Sequence, residues 1–254
     1  MTFTWGKRMR VWVVATTLLV FLAAVAAAVF AFMYKAPSCM DGVQNRDETG
    51  IDCGGSACSY LCTAQVSAPK VILIRAFTLT NGRTDALAYV LNPNKEAEAR
   101  NAPYTLELFG SDGTRITKTE GALDLPAGKT AVLFIPSLTN GSQVTKAFIT
   151  FDASRILWQR TKGAYDVLST EQIAVTESGT PRITSVLRND TFTAKYQVRV
   201  VATVFDAAGT AIAASQTLVP TLAARSTVPL TFTWNEPFPS PVDHIEVVPV
   251  LTLP

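Results

Sequence analysis

The four cysteines of this 254-residue chain all lie in one short segment, at positions 39, 53, 58 and 62. Four thiols in one segment can form two disulfides or bind one zinc ion as thiolates. The gaps of thirteen, four and three residues lack the two close pairs of a zinc ribbon, and the last gap is too long for a C-x-x-C redox motif. We therefore predict two disulfides among Cys39, Cys53, Cys58 and Cys62, in any of three connectivities.

Oxygen-bearing side chains fill the stretch between the first two cysteines. Carboxylate and amide oxygens are the ligands that Ca²⁺ prefers. The residues that could supply them here are Asp41, Asn45, Asp47, Glu48 and Asp52. The stretch is not an EF-hand, because counting from Asp41 puts Arg46 at the sixth position, where glycine is needed. The same residue types are common in solvated turns, so a Ca²⁺ site and a set of turn caps are both open interpretations.

Residues for catalysis are scarce. His244 is the only histidine, and it lies on a predicted strand without a nucleophile motif such as G-x-S-x-G beside it. Asp206 and Asp243 could form a carboxylate pair, but Asp206 is better explained by a turn. The sequence contains no phosphate-binding loop and no dinucleotide fingerprint. We predict a protein that is not an enzyme, with no catalytic residues and no cofactor other than the possible Ca²⁺.

The charge distribution argues against a nucleic-acid partner. The formal net charge of the chain is +2, but Lys7, Arg8, Arg10 and Lys35 precede Cys39 and no acidic residue does. The chain from Cys39 onward contains the other 18 of the 22 basic residues and all 20 acidic residues, so its net charge is −2. A basic surface for phosphate groups is therefore not expected.

Residues 11–33 have the composition of a transmembrane helix. These 23 positions contain no charge, proline or glycine, and as a helix they are about 34 Å long, enough to cross a bilayer core of about 30 Å. A cleaved signal peptide is the competing interpretation, but this apolar run is longer and ends in bulky Phe30, Phe32 and Met33. The basic residues before the run predict a cytoplasmic tail over residues 1–10, with everything after the helix exported from the cell.

An exported location favours the disulfides, because that compartment is oxidising. Residues 34–66 then form a disulfide-rich module beside the membrane, with too few apolar residues for a core of its own. The segment from Cys39 to Cys62, CMDGVQNRDETGIDCGGSACSYLC, resembles an extracellular motif, C-x-D-G-x-x-N-x-x-E-T-x-x-D-C-G-G-x-C-x-x-C, of secreted and surface proteins. Each of its last two gaps is one residue longer than in the motif. The resemblance implies an extracellular setting and no particular activity.

From Lys70 onward, short alternating segments separated by glycine, proline, asparagine and aspartate predict antiparallel β-structure. The segments also repeat. A shift of 96 residues aligns Val90-Leu91 with Val186-Leu187 and Leu108-Phe109 with Val204-Phe205, and a shift of 97 aligns Leu125 with Leu222 and Phe148 with Ile245. We predict a mostly β protein with two tandem immunoglobulin-like β-sandwich domains, over residues 67–158 and 159–254. Trp158 and Trp234 are expected in their cores, although two such side chains could also anchor a binding patch.

The phrase Leu106-Glu-Leu-Phe109-Gly-Ser-Asp-Gly113 followed by Leu125-Pro-Ala-Gly128 resembles the FxLYD and the water-stress (late-embryogenesis-abundant) immunoglobulin-type domains. The second copy keeps Val204-Phe-Asp206 and Gly209, but Leu222-Ala-Ala-Arg225 has lost the proline and glycine. The resemblance implies a fold and a binding or spacer role, and it implies no catalytic residues.

These features together predict a single-pass cell-membrane protein whose exported domains bind a protein or envelope partner. A passive stalk stabilised by Ca²⁺ is one alternative. An envelope enzyme with an unfamiliar site is the other.

Overall fold

A computed structural model of the chain describes residues 5–33, 38–45, 47–56, 58–141, 143–161, 163, 165, 168–176 and 180–253. The first element is helix α1 (Trp5–Met33), which has no buried residue and is long and apolar enough to cross a membrane. It contains the whole predicted span of residues 11–33. The helix begins before that span, so Lys7, Arg8 and Arg10 lie in its first turns rather than in a separate tail.

The described residues are mostly β-structure, as predicted. They form thirteen strands: β1 (Lys70–Thr78), β2 (Arg83–Leu91), β3 (Ala97–Phe109), β4 (Arg115–Leu125), β5 (Thr130–Asn140), β6 (Lys146–Phe151), β7 (Trp158–Arg160), β8 (Leu168–Thr176), β9 (Arg182–Asn189), β10 (Lys195–Phe205), β11 (Ala211–Leu222), β12 (Ser226–Thr233) and β13 (His244–Pro249). Every strand pairing is antiparallel.

Sandwich 1 packs the sheet β1-β2-β5 against the sheet β4-β3-β6, in which β7 also pairs with β3. Alternate residues of β3, including Leu106 and Leu108, are buried because their side chains all point to one face of the strand. Trp158 is 2% exposed and lies in this core, as expected. Because β7 continues to Arg160, sandwich 1 extends past the predicted boundary at residue 158.

Sandwich 2 repeats this arrangement with the sheets β8-β9-β12 and β11-β10-β13, in the same strand order as sandwich 1. Its core contains Ile183 and Leu187 of β9, Val204 of β10 and Phe232 of β12. The turn between β10 and β11 is closed by the Asp206 carboxylate, which accepts the amides of Ala208 and Thr210. This is the turn role predicted for Asp206.

A buried asparagine occupies the same place in both sandwiches. The Asn92 amide nitrogen donates to the carbonyls of Ala97, Leu125 and Pro126, and the Asn189 amide nitrogen donates to those of Thr193 and Ala223. Both side chains are fully buried. Each one ties the end of the second strand of its sandwich to the loop after the fourth.

These asparagines lie 97 positions apart, whereas the sequence alignment used a shift of 96 residues for strands β2 and β9. Val90 and Leu187, also 97 apart, are the core residues at corresponding places in β2 and β9. The alignment of Val90 with Val186 is therefore out by one residue. The last strand of each sandwich shows a similar difference. In β6, Ile149 pairs with Leu106 of β3, and in β13, Val247 pairs with Ala202, the corresponding residue of β10. Ile149 therefore corresponds to Val247, and the alignment of Phe148 with Ile245 is wrong.

The two sandwiches pack face to face and are not independent domains joined only by a linker. Strand β2 is buried from Thr84 to Val90 without alternation, because its second face lies against β10 of sandwich 2. The shared core contains Leu87, Tyr89 and Val132 from sandwich 1 and Val201, Phe205, Ala211 and Ala214 from sandwich 2. The result is a stack of four sheets with three apolar layers.

Hydrogen bonds also cross this interface. The Tyr89 hydroxyl donates to Thr203 Oγ1 at 2.9 Å in the buried layer. Near the end of the chain, the amide of Leu253 donates to Asp124 Oδ2 of sandwich 1 at 2.9 Å. Burial raises the pKa of the Tyr89 hydroxyl far above its ordinary value, and the nearby Glu246 carboxylate adds to this effect.

Because the Tyr89 hydroxyl is buried, we predict that the protein loses stability in alkaline solution. Unfolding exposes a phenol that ionises near pH 10, whereas the raised pKa keeps the folded side chain neutral. The free energy of unfolding should therefore fall as the pH rises above about 10. We expect Tyr89→Phe to cost about 0.5 to 1.5 kcal/mol at pH 7 and to make the alkaline decline shallower, as measured by guanidinium denaturation over a pH series.

Tyr196 provides the control for this prediction, because its side chain is 69% exposed. Tyr196→Phe should leave the free energy of unfolding at pH 7 unchanged. A Tyr89→Phe protein with the wild-type stability and alkaline slope would show that the hydroxyl is not buried between the sandwiches.

Candidate functional site

The cysteine module, residues 38–66, contains two disulfides, Cys39–Cys58 and Cys53–Cys62. The prediction of two disulfides is confirmed, and the structure selects one of the three connectivities. The first bridge encloses Cys53 and the second encloses Cys58, so the two loops interlock. Each bridge therefore restrains the segment that the other closes.

Three of the five predicted Ca²⁺ ligands are linked by hydrogen bonds within the module. Asp41, Asn45 and Asp52 lie together: the Asn45 amide donates to Asp41 Oδ2, and Asp52 accepts the backbone amides of Asp41 and Gly42. Asp47 accepts the amide of Ser56, and Glu48 accepts that of Asn45. In this structure the carboxylates cap turns of their own module, and the Ca²⁺ site stays a prediction.

Glu48 is the buried acid of the module. Its side chain is 7% exposed, and Oε1 lies 3.2 Å from the sulfur of Cys58. That sulfur carries no proton because it is bonded to Cys39, so the contact is not a hydrogen bond. Among the described residues, Cys39, Glu48 and Cys58 are the group whose possible ligand atoms all lie within 4.8 Å of one another. Since both sulfurs belong to one disulfide, they are not thiolate ligands.

The module is fixed to sandwich 1 by backbone pairing. The amide of Leu61 donates to the carbonyl of Trp158 at 2.9 Å, and the amide of Arg160 donates to that of Ser59 at 3.3 Å. The Arg160 guanidinium donates to the carbonyl of Gly55 at 3.0 Å. Leu61 and Val66 pack against the core of sandwich 1. The module thus extends the β4-β3-β6 sheet through β7. Its last residues are buried on the core of sandwich 1, because the module has no core of its own.

Removal of one disulfide tests how much of this order depends on the bridges. We expect the double change Cys39→Ser, Cys58→Ser to remove about 3 kcal/mol of loop-closure stabilisation from the module. Trypsin should then cleave after Arg46 much faster than in the wild type. The change Arg46→Gln in the same background identifies the cleavage site, and equal cleavage rates with and without the Cys39–Cys58 bridge would contradict the expectation.

At one side of the interface the two sandwiches diverge and enclose a cavity of about 620 Å³, here called the interdomain cleft. Sandwich 1 contributes Arg75, Phe77, Arg83 and Phe134, and sandwich 2 contributes residues 211–216 of β11 and the loop of residues 234–240. Arg75, Phe77, Arg83 and Phe134 share the face of the first sheet that is directed at sandwich 2, as the pairing of Arg75 with Leu87 shows.

Aromatic side chains form the wall on the sandwich 2 side. Trp234 is partly buried, contacts the core of sandwich 2, and donates from Nε1 to the carbonyl of Ala214 at 3.2 Å. The ring of Phe238 meets it edge to face at 5.2 Å. Part of the indole thus packs on the core, as expected, and part lines the cleft.

The carboxylates around the cleft already have donors. Glu236 accepts the amide and the hydroxyl of Thr80 at 2.8 and 2.5 Å, which joins the two sandwiches. Asp85 accepts Arg83 Nη2 at 3.0 Å and the amide of Ser137 at 2.8 Å. Asp206 accepts the two amides of its own turn.

The two arginines of the cleft have unused donors. Arg83 Nε is buried without a hydrogen-bond partner in the described part of the chain. Arg75 is exposed and makes no hydrogen bond or ion pair with any described residue. A buried donor without an acceptor is costly, and in native proteins it commonly meets a water molecule or a ligand.

His244 lies at the rim of the interface and not in the cleft lining. Its ring stacks on Phe205 with centroids 4.6 Å apart, and Nδ1 lies 3.0 Å from Asp243 Oδ2. The Asp206 carboxylate accepts the amides of its own turn and the Asp243 carboxylate contacts the His244 ring, so each has a separate partner. The arrangement matches a surface histidine packed on an aromatic ring.

The interdomain cleft was not predicted from the sequence, although one signal was present. Residues 86–90, Ala-Leu-Ala-Tyr-Val, form a continuous apolar run rather than an alternating one. Such a run indicates a strand buried on both faces, and it could have predicted that another sheet covers β2. Nothing comparable marks Arg75, Phe134 or Trp234 as neighbours.

No protein-family model matches the chain, and no curated protein matches it. Among solved structures, red sea bream transglutaminase aligns at 12% identity and a TM-score of 0.26, over 74% of this chain and 32% of that one. The Amycolatopsis orientalis exo-chitosanase CsxA aligns at 13% identity and a TM-score of 0.18, over 70% of this chain and 26% of that one. The chain thus spans about a third or less of the length of these proteins, and TM-scores this low carry no argument about its function.

Proposed function

We propose that this protein is a non-catalytic, single-pass membrane protein that presents its two sandwiches outside the cell membrane for binding a protein or envelope component. Helix α1 supplies the anchor, and the basic residues in its first turns favour a cytoplasmic N-terminus. The two disulfides suit an oxidising exterior. We further infer that the sandwiches are two copies of one domain of the FxLYD or water-stress type, since they share strand order and the buried asparagine.

The observation that carries the proposal is that the cysteine module and the two sandwiches pack into one unit. The cysteine module pairs with β7 of sandwich 1, and sandwich 1 shares an apolar layer with sandwich 2. A flexible tether would need neither contact. A single packed unit of this kind offers one continuous surface to a partner, which favours presentation of a site.

Reporter fusions test the predicted orientation. Alkaline phosphatase, which requires an exported location, should be active when it is fused after Pro254, and green fluorescent protein fused there should be dark. Exchange of Lys7, Arg8 and Arg10 for glutamine is the matched control, because it removes the charge asymmetry and should weaken the orientation. The opposite reporter pattern in the wild type would refute an exported C-terminal region.

Crosslinking in cells tests the binding role. Mass spectrometry of crosslinked peptides from the full-length protein should find one recurrent partner on one face of the sandwich pair. Crosslinks only within the protein or between its own copies would instead indicate a passive stalk or a self-associating scaffold, and would overturn the proposed binding role.

A further inference from the structure

The interdomain cleft has the dimensions and position of a small-molecule site. Its volume of about 620 Å³ lies within the range of about 300 to 1,000 Å³ that is typical of ligand pockets, which often form between domains. Both sandwiches contribute walls, and the Thr80–Glu236 hydrogen bonds join them across one side. The cleft is therefore a built feature of the packed pair and exists in neither sandwich separately.

One wall of the cleft suits an apolar or aromatic group. Trp234 and Phe238 meet edge to face, and Phe134 faces the cleft from the other sandwich. Half-buried aromatic rings that line a cavity supply a large contact area at a low cost in side-chain entropy. A ligand with a ring or an aliphatic body would cover this wall.

Charged side chains from both sandwiches also line the cleft. Three carboxylates and two guanidinium groups line the cleft, and each carboxylate already accepts two hydrogen bonds. Arg83 is paired with Asp85 and its Nε is buried away from solvent, so the donor group open to a ligand is the guanidinium of Arg75. The Arg75 guanidinium is therefore available to an oxygen acceptor, and guanidinium binds carboxylate oxygens more strongly than neutral ones.

We propose that the interdomain cleft binds a small organic anion, a carboxylate on an aromatic or aliphatic body. Arg75 donates to the carboxylate oxygens, and Trp234, Phe238 and Phe134 contact the body. This inference rests on the proposed binding role and gives it a ligand class. Because both sandwiches form the site, a bound anion also stabilises their packing.

The test uses the full-length protein in lipid nanodiscs and a panel of aromatic and aliphatic monocarboxylates, each paired with its own carboxamide. Ligand-observed nuclear magnetic resonance and calorimetry measure their binding. We expect members of the panel to bind as carboxylates about 10-fold or more tightly than as carboxamides. Arg75→Ala should remove that preference and leave the affinity for the carboxamides unchanged.

Arg155→Ala is the matched control, because Arg155 is an exposed arginine of sandwich 1 outside the cleft. It should bind the panel as the wild type does. Absence of binding by every carboxylate, equal affinity for acid and amide, or equal effects of Arg75→Ala and Arg155→Ala would each overturn the proposal. None of these results affects the reporter fusions or the crosslinks, so this inference and the proposed function can fail separately.

Discussion

Replacement of Leu87 by alanine is expected to lower the free energy of unfolding by about 2 to 5 kcal/mol. Leu87 is fully buried on β2, in the layer where sandwich 1 meets Val201 and Phe205 of sandwich 2. Removal of most of its side chain leaves a cavity between two sheets that are held by many other contacts and can collapse only partly. Guanidinium denaturation of the purified full-length protein measures the loss.

Leu218→Ala is the matched control for the Leu87 change. Leu218 lies on β11 of the facing sheet, but its side chain is 47% exposed, so the same change should cost less than about 1 kcal/mol. The comparison tests the four-sheet stack directly. If the sandwiches were independent, Leu87 would lie on a surface, and the two alanine variants would have similar stabilities.

Replacement of Asn92 by alanine is the second large expected effect. The two hydrogens of the Asn92 amide nitrogen are shared among three carbonyls, those of Ala97, Leu125 and Pro126, at 2.8 to 3.1 Å. Its loss leaves buried acceptors unsatisfied, at about 1 to 3 kcal/mol for each group that water cannot reach. We expect the free energy of unfolding to fall by about 3 kcal/mol or more, again measured by denaturation.

Asn189→Ala should have a smaller effect of the same kind, since Asn189 donates to only two carbonyls. Asn235→Ala is the control, because Asn235 is exposed in the loop after β12 and should change stability by less than about 0.5 kcal/mol. Equal stabilities of the Asn92 and Asn235 variants would mean that Asn92 does not hold the loop after β4. The pair Asn92 and Asn189 also tests whether the two sandwiches are built alike.

The helix and the strands follow from local patterns in the sequence. An uncharged run over residues 11–33 needs no tertiary partner to define a helix, because such a run satisfies its own backbone hydrogen bonds. Alternation over residues 104–109 likewise indicates a strand with one buried face. The paired disulfides, the mostly β class and the turn role of Asp206 were therefore predictable.

Long-range contacts were not predictable in the same way. Sequence spacing allowed three disulfide connectivities, and the choice depends on how residues 38–62 fold against β7. Arg75, Phe134 and Trp234 come from three different strands and loops of two sandwiches, so no local pattern joins them. Register was also uncertain, since one extra residue moves a strand's side chains to the other face, and this is why the alignment of Val90 with Val186 was wrong.

By itself, the sequence determined the class of each segment: an apolar helix, a cysteine module, and two runs of antiparallel strands. It did so because periodicity, charge and cysteine number act locally along the chain. Only the tertiary structure decided that the module extends the sheet of sandwich 1, that β2 and β10 cover each other, and that a cleft lies between the two sandwiches. The physical reason is that a strand's own pattern records how many of its faces are buried, but not which surface covers them.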